Sequence, residues 1–416
     1  RFDEAQRALV EGERSGVSLD KLETLKQRLQ KSAPNDKNKT EKGQTLSKKK
    51  KAQDGSSTAE PSQDQINQLR DHYHTGRLED AKALATSLTQ QFPKHPFGWK
   101  VLGVVLQQTG KLAESLAPMQ SAVKLSPQDA GAHSNLGAAL QVLGRLDEAE
   151  TSLRKAIGLK PDYAEAHSNL GVTLQELGRL DESISSYVRA INLSADCYNA
   201  YSNLGAALTG VRFNKADQSL YPILINLLTS GGYVRPRDVA GAISSLLRLD
   251  NLIEDVLLNT TVFTNMKKVD RAIKTLARVP LLHRLMRTCP LPDLQLEASF
   301  VSIRRALLAG LGQIPASSEL IYFLSTLSLH CFTNEYVYFE TKEETELISV
   351  LEAAIAESIA RASQPTITES LIFATYRPLH QYDWSKKLKV LDQLPEVKVR
   401  LVEEPLAERA IAQTIP

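Results

Sequence analysis

At 416 residues the chain is long enough for more than one hydrophobic core. Its apolar fraction of 42% and mean hydropathy of −0.24 require at least one polar, loosely packed part. The formal charge of +2 argues against a nucleic-acid partner, and three scattered cysteines (Cys197, Cys289, Cys331) argue against a disulfide framework. Such cysteine usage suits a reducing compartment, so a cytoplasmic location is expected. No apolar run approaches the ~20 residues of a membrane span, so no membrane partner is expected. There is no CxxC pair and no Cys/His cluster, so neither a metal nor a cofactor is expected.

Residues 1–31 read as a charged helical segment, with Leu22, Leu25 and Leu29 spaced along one face. The opening, Arg1-Phe2-Asp3-Glu4-Ala5, matches Arg145-Leu146-Asp147-Glu148-Ala149 further along. It therefore reads as a truncated repeat, and the chain is expected to start inside a larger protein. Residues 32–62 are rich in Lys, Ser, Thr and Gln and nearly free of apolar side chains. They cannot offset the entropy of folding and read as a disordered basic linker. Within it, Lys48 to Lys51 is either a solvated run or a contact for an anionic surface.

Residues 63–210 repeat. Ala132-His133-Ser134-Asn135-Leu136-Gly137 returns as Ala166-His167-Ser168-Asn169-Leu170-Gly171 and as Ala200-Tyr201-Ser202-Asn203-Leu204-Gly205, 34 residues apart each time. The better repeats also carry a small residue on a second helix (Ser115, Ala149, Ser183). After it come an apolar one (Met119, Leu153, Tyr187) and, in all but the last, a terminal proline (Pro127, Pro161). An earlier, weaker repeat is anchored by Gly76, Ala81 and Pro93. The spacing predicts pairs of helices that approach closely at Gly103, Gly137, Gly171 and Gly205, turn at Gly76, Gly110, Gly144 and Gly178, and end at the prolines. This pattern is identified as that of the tetratricopeptide repeat, a unit that closes its apolar face only by stacking on its neighbours.

Residues 211–416 lose the period but keep apolar residues at three- and four-residue spacing, broken at Gly231-Gly232, Pro290-Leu291-Pro292 and Pro315. A mostly helical domain is predicted, one that could cover the exposed end of the array. Val397–Val402 is the one modest strand candidate. The fold class expected is therefore all-α: a tetratricopeptide α-solenoid followed by a mostly helical domain.

The repeats resemble the array of O-GlcNAc transferase. That resemblance implies that first helices line a groove and that Asn135, Asn169 and Asn203 hydrogen-bond the backbone of an extended peptide. A primary amide can donate to and accept from a peptide bond, which suits the role. The bland alternative is that these asparagines belong to the repeat pattern and are simply solvated. Val101 takes the position one unit earlier, so the ladder has at most three rungs.

Leu327-Ser328-Leu329-His330-Cys331-Phe332-Thr333-Asn334-Glu335-Tyr336-Val337 looks like the helical region between a tetratricopeptide array and a class I SAM-dependent methyltransferase domain in certain bacterial proteins. The stretch Glu403-Glu404-Pro405-Leu406-Ala407-Glu408 is similar to the approach to that domain. The resemblance implies a methyltransferase beyond Pro416, since no strand, glycine-rich turn and helix with a ribose-binding acid is found before it. Gly310-Leu311-Gly312 follows a helical pattern and reads as a helix end. His330 and Cys331 are adjacent, so on a helix they diverge by ~100° and make a poor base–nucleophile pair. No catalytic, cofactor-binding or metal-binding residue is assigned. Tyr376, Arg377, His380 and Trp384 form a polar–aromatic cluster suited to docking against a neighbouring domain.

The expected function is a scaffold that binds a peptide or protein segment in its groove, as the non-catalytic part of a methyltransferase-like protein. Two rivals stand: the targeting array of a glycosyltransferase of the O-GlcNAc transferase type, or a stand-alone scaffold.

Overall fold

In three dimensions the 34-residue period is two helices and two turns. The computed structural model of the chain describes residues 60–230, 232–258 and 265–405. The truncated repeat, nearly all of the linker and the Lys48–Lys51 run lie outside the described residues. So does the stretch from Leu406 onward. Among the described residues there are 19 α-helices and no strand. The pairs are α1 (Gln63–His74) with α2 (Leu78–Gln91), α3 (Pro96–Gln108) with α4 (Leu112–Leu125), α5 (Ala130–Val142) with α6 (Leu146–Leu159), and α7 (Ala164–Glu176) with α8 (Leu180–Leu193). A ninth helix, α9 (Tyr198–Leu208), opens a fifth unit.

The second, third and fourth pairs are each held by one close approach. In α7, a Cβ built on Gly171 would lie 2.5 Å from the Tyr187 ring of α8, and on Gly137 it would lie 2.5 Å from Leu153 Cγ. Only hydrogen fits at such a contact. Between the helices, Gly144 has φ +73°, the left-handed value that ends α5 and lets the chain reverse.

Successive pairs are joined by a second recurring contact. The ring N–H of Trp99 donates to the carbonyl of Pro93 at 2.9 Å. His133 Nε2 and His167 Nε2 make the same contact with Pro127 and Pro161, at 3.1 and 3.0 Å. In the second, third and fourth units the large opening residue thus bonds to the proline that closes the unit before, because proline, having no N–H, still offers its carbonyl. The apolar cores sit across the same joints: Leu69 to Leu106, Met119 to Ala149, and Leu153 to Leu174 form separate clusters, each shared by two neighbouring units.

The fifth unit departs from the pattern. Gly205 in α9 has no second-helix side chain against it; its neighbour is Val234, whose Cβ would stand 2.9 Å from a Cβ there. Tyr233, beside it, stacks on Tyr201 with ring centroids 4.8 Å apart. The turn at Tyr233-Val234 therefore covers the face that a second helix of the fifth unit would have covered.

Ten more helices follow: α10 (Tyr221–Thr229), α11 (Pro236–Arg248), α12 (Asn251–Leu258), α13 (Met266–Leu276), α14 (Pro280–Thr288), α15 (Leu294–Ala309), α16 (Ser318–Thr333), α17 (Lys342–Ala360), α18 (Ile367–Ala374) and α19 (Pro395–Lys398). Their starts are written locally. Proline opens α11 and α14, and capping boxes open α17 (Thr341 with Glu344) and α18 (Thr366 with Glu369). Gly310 ends α15, as the sequence suggested. Val397–Val402 is not a strand. It lies in α19 and the π-helical turn Val399–Glu403 that continues it, burying Val397, Leu401 and Val402 on one face. Burial at helical spacing overrides the β preference of its valines. One core runs without a break from Ile184 of α8 to Val402.

Gly171→Ala is expected to lower stability by about 1–3 kcal/mol, since the buried Tyr187 ring cannot yield. Gly158→Ala, in α6 with nothing within 4 Å of a new Cβ, is expected to be neutral or stabilising by up to about 1 kcal/mol. Thermal and denaturant unfolding of the two variants distinguishes the contact from a general effect of removing glycine.

Candidate binding groove

Residues spaced by four and three along each first helix share one face, opposite the glycine contacts. On α3 these are Phe97, Val101 and Val104; on α5, Gly131, Asn135 and Ala138; on α7, Glu165, Asn169 and Val172. Most of them line a single cavity of about 740 Å³, which Tyr73 of α1 and Gln107 and Gln108 of α3 also border. Asn135 and Asn169 both face this cavity. Neither is fully buried, and neither side-chain amide has a hydrogen-bond partner among the described residues. Two amides with full hydrogen-bonding capacity therefore stand in a partly apolar recess.

Asn203 has the same register in α9 and is half-buried, but it is not among the residues lining the cavity. The residue 34 positions before Val101 is Asn67 in α1, a position the sequence reading passed over. It is exposed, its Oδ1 accepts from Gln63 Nε2 at 3.1 Å, and it too lies outside the cavity lining. The structure thus brings together two of the three predicted asparagines. It adds an apolar wall from α3 that sequence reading recorded only as a missing rung at Val101. The signal was present: the 34-residue step, taken from each groove position rather than from asparagine alone, identifies Phe97 and Val104 as well.

One ion pair is built into the groove wall. Lys100 Nζ lies 2.8 Å from Asp129 Oδ2, and Asp129 Oδ1 accepts the Ala132 N–H at 3.1 Å, capping α5. A Cβ on Gly131 would stand 2.8 Å from Lys100 Nζ, so the missing side chain leaves room for the ammonium group. Partial burial pushes the Asp129 carboxyl up. The Lys100 hydrogen bond and charge, with the N–H groups of Ala132 and Gly131, outweigh it and hold the group below the usual carboxylate range. Bridges also run between first helices. Gln108 Nε2 donates to the Tyr73 hydroxyl at 3.0 Å, and Gln141 donates to Glu176.

The residues singled out in the carboxyl half are tied to the surrounding helices to different degrees. His330 and Cys331 have no exposed surface. His330 Nε2 is 2.8 Å from Glu297 Oε1, and its Nδ1 is 3.1 Å from the Met286 carbonyl. Burial pushes the Cys331 thiol up to about 12, away from the thiolate that a nucleophile needs. Asn334 caps α16 and donates to Tyr338 and Glu297, while Glu335 and Tyr336 make the left-handed turn that follows (φ 53° and 57°). Tyr376 is 1% exposed. Its hydroxyl donates to Glu344 at 2.8 Å, and the Arg304 guanidinium lies 4.0 Å from its ring centre. Arg377 is held by both oxygens of Glu340, and Trp384 stacks on Tyr382. The cluster of Tyr376, Arg377, His380 and Trp384 is joined to the surrounding helices, and only its last three members keep partial exposure.

Among the described residues no group of His, Cys, Asp and Glu could hold a metal ion, and no helix is long and apolar enough to cross a membrane.

Residues 142–178 match the family model described as TPR repeat; residues 66–130 and 164–197 match models described as tetratricopeptide repeat. The chain therefore contains tetratricopeptide repeats, and the array is a tetratricopeptide solenoid. No curated protein matches the chain. Among solved structures, that of MamA is 23% identical, spanning 34% of this chain and 83% of its own, with a TM-score of 0.32. A thermophilic tetratricopeptide protein of Thermus thermophilus is 23% identical over 50% of this chain and 99% of its own, with a TM-score of 0.31. The first tetratricopeptide domain of Spaghetti, solved bound to an HSP90 peptide, is 22% identical over 27% and 89%, with a TM-score of 0.26.

Asp129→Asn keeps a capping oxygen but removes the charge, and is expected to lower the unfolding midpoint at neutral pH. The depressed carboxyl contributes stability that is present above its unfolded pKa of ~3.9 and lost as pH falls through the lower folded value. The gap between the two proteins should therefore close in that acid window, measured by thermal unfolding across pH; a gap independent of pH would assign the effect to packing instead.

Proposed function

We propose that the array binds an extended protein segment in the groove between α1 and α7, and that Asn135 and Asn169 pair with the segment's backbone. The observation that carries this reading is the pair of unbonded amides in one cavity. An extended segment entering such a recess loses water from its N–H and C=O groups, and each then needs a partner. A primary amide supplies a donor and an acceptor, so it satisfies either sense of the peptide bond. The reading covers recognition alone; the array holds a partner and supplies no reacting group.

The wider setting is part of the same proposal. A methyltransferase partner domain in a bacterial cytoplasm rests on the resemblance at Leu327–Val337 and Glu403–Glu408; a glycosyltransferase or stand-alone setting rests on the repeats alone. The reading frame after Pro416 separates them: a strand, glycine-rich turn and helix supports the first, paired nucleotide-sugar domains the second, and a stop codon the third.

For the groove itself, the test is a peptide selected from a random displayed library against the full chain. Asn135→Ala combined with Asn169→Ala should weaken its binding roughly ten- to a hundredfold, at about 0.5–1.5 kcal/mol per hydrogen bond lost. Helix content and unfolding midpoint should not fall, since neither amide supports the fold and Ala is the better helix former. Unchanged affinity in the double variant would sink the proposal.

A further inference from the structure

The three first helices that line the groove do not present the same chemistry. The α3 face offers Phe97, Val101 and Val104, all half-buried, so each keeps apolar surface toward the cavity. The α5 face is small: Ala138 lies beside Asn135 in the cavity lining. The α7 face offers Glu165, which lines the cavity and is exposed, and ends in Glu176, bridged only to the neutral Gln141. The chemistry thus runs from apolar to amide to acidic along the array.

The charges sharpen this gradient. Lys100, the cation in the cavity wall, is already paired with Asp129 at 2.8 Å. Glu165 has no cation within ion-pair distance among the described residues; its neighbour is the Tyr163 hydroxyl at 3.4 Å. An exposed carboxylate at the edge of the cavity with no internal counterion favours a positive group from outside. The apolar end likewise favours removal of its remaining surface from water.

We infer that the groove selects an extended segment carrying a bulky apolar side chain, seated against Phe97, Val101 and Val104, and a lysine or arginine that reaches Glu165. This rests on the peptide-binding reading above and deepens it. Two helix-to-helix steps of roughly 8–10 Å, crossed by a chain rising ~3.3 Å per residue, separate the two side chains by on the order of five to six residues. Asn135 and Asn169 hold the backbone between them without regard to sequence. The two ends of the groove supply the specificity.

The experiment pans a random dodecapeptide library against the full chain and against two variants, with circular dichroism confirming that each is folded. Val101→Asn installs on α3 the residue that α5 and α7 carry in that register; Glu165→Lys reverses the acidic end. Peptides selected by the unaltered protein should share an apolar residue and a basic one at about the stated separation. Replacing the apolar residue by Ser should weaken binding about tenfold or more, and Val101→Asn should reduce that dependence. Glu165→Lys should turn the basic preference into an acidic one. Selected peptides that need Asn135 and Asn169 but show neither preference would overturn this inference and leave the backbone reading intact. Selected peptides indifferent to the two asparagines, or a library that yields no binder, would overturn both.

Discussion

The array depends on one constraint: from the second pair to the fourth, a bulky side chain of the second helix presses on a glycine of the first, as Tyr187 does on Gly171. That contact sets how near the two helices lie, and so how each unit presents its opposite face. Asn135 precedes Gly137 by two residues, and Asn169 precedes Gly171 by two, which on a helix turns the side chain ~200° away. The side that must be crowded and the side that is open to a ligand are therefore fixed together. Changing the crowded side would rotate the open one. A glycine with no chemistry of its own governs the orientation of the amide that has some.

Where one residue does one local job in every unit, the sequence was readable. The glycine, the proline and the large opening residue recur because the same contact recurs, and the 34-residue period follows directly. Asn135 and Asn169 share one register, and both line one cavity, while their assignment to a groove in the bare sequence came from a resemblance and not from spacing. What escaped was non-periodic. Val234 meets Gly205 across a turn with no counterpart elsewhere among the described repeats, so no spacing announced it. Val397–Val402 read as a strand because its valines favour one, and only burial against the preceding helices shows otherwise. The apolar wall on α3 was legible in principle; a search for the repeated amide, rather than for the repeated position, passed over Phe97 and Val104.

The carboxyl half uses its polar residues differently from the array. Arg304 is 2% exposed and lies between the rings of Tyr376 and Tyr338, with one N–H given to the Thr375 carbonyl at 3.1 Å. Glu344, also buried, accepts from Tyr376 and from the backbone at the start of α17. Glu297 joins His330, Asn334 and Tyr338 in the same manner. Buried polar groups of this kind are costly unless each finds a partner, and their partners come from helices far apart in the chain. They specify which helices meet. A residue list of such a region looks like an active site, and that resemblance explains why its His, Cys, Tyr and Arg attract notice in the bare sequence.

The separate clusters of the array and the unbroken core beyond it give the molecule an uneven grain. From Ile184 onward, any opening must breach one shared interior. Between Leu69 and Leu174 a unit can part from its neighbour by breaking a single small cluster and one ring-to-proline hydrogen bond. Among the described residues the array is thus clamped by a large core at one end and built of small, separable clusters toward the other. A segment lying across Val101, Asn135 and Asn169 would touch units that belong to three different clusters and fasten them to one another. Occupancy of the groove would then be felt as cooperativity, with loosely coupled units made to open together or not at all.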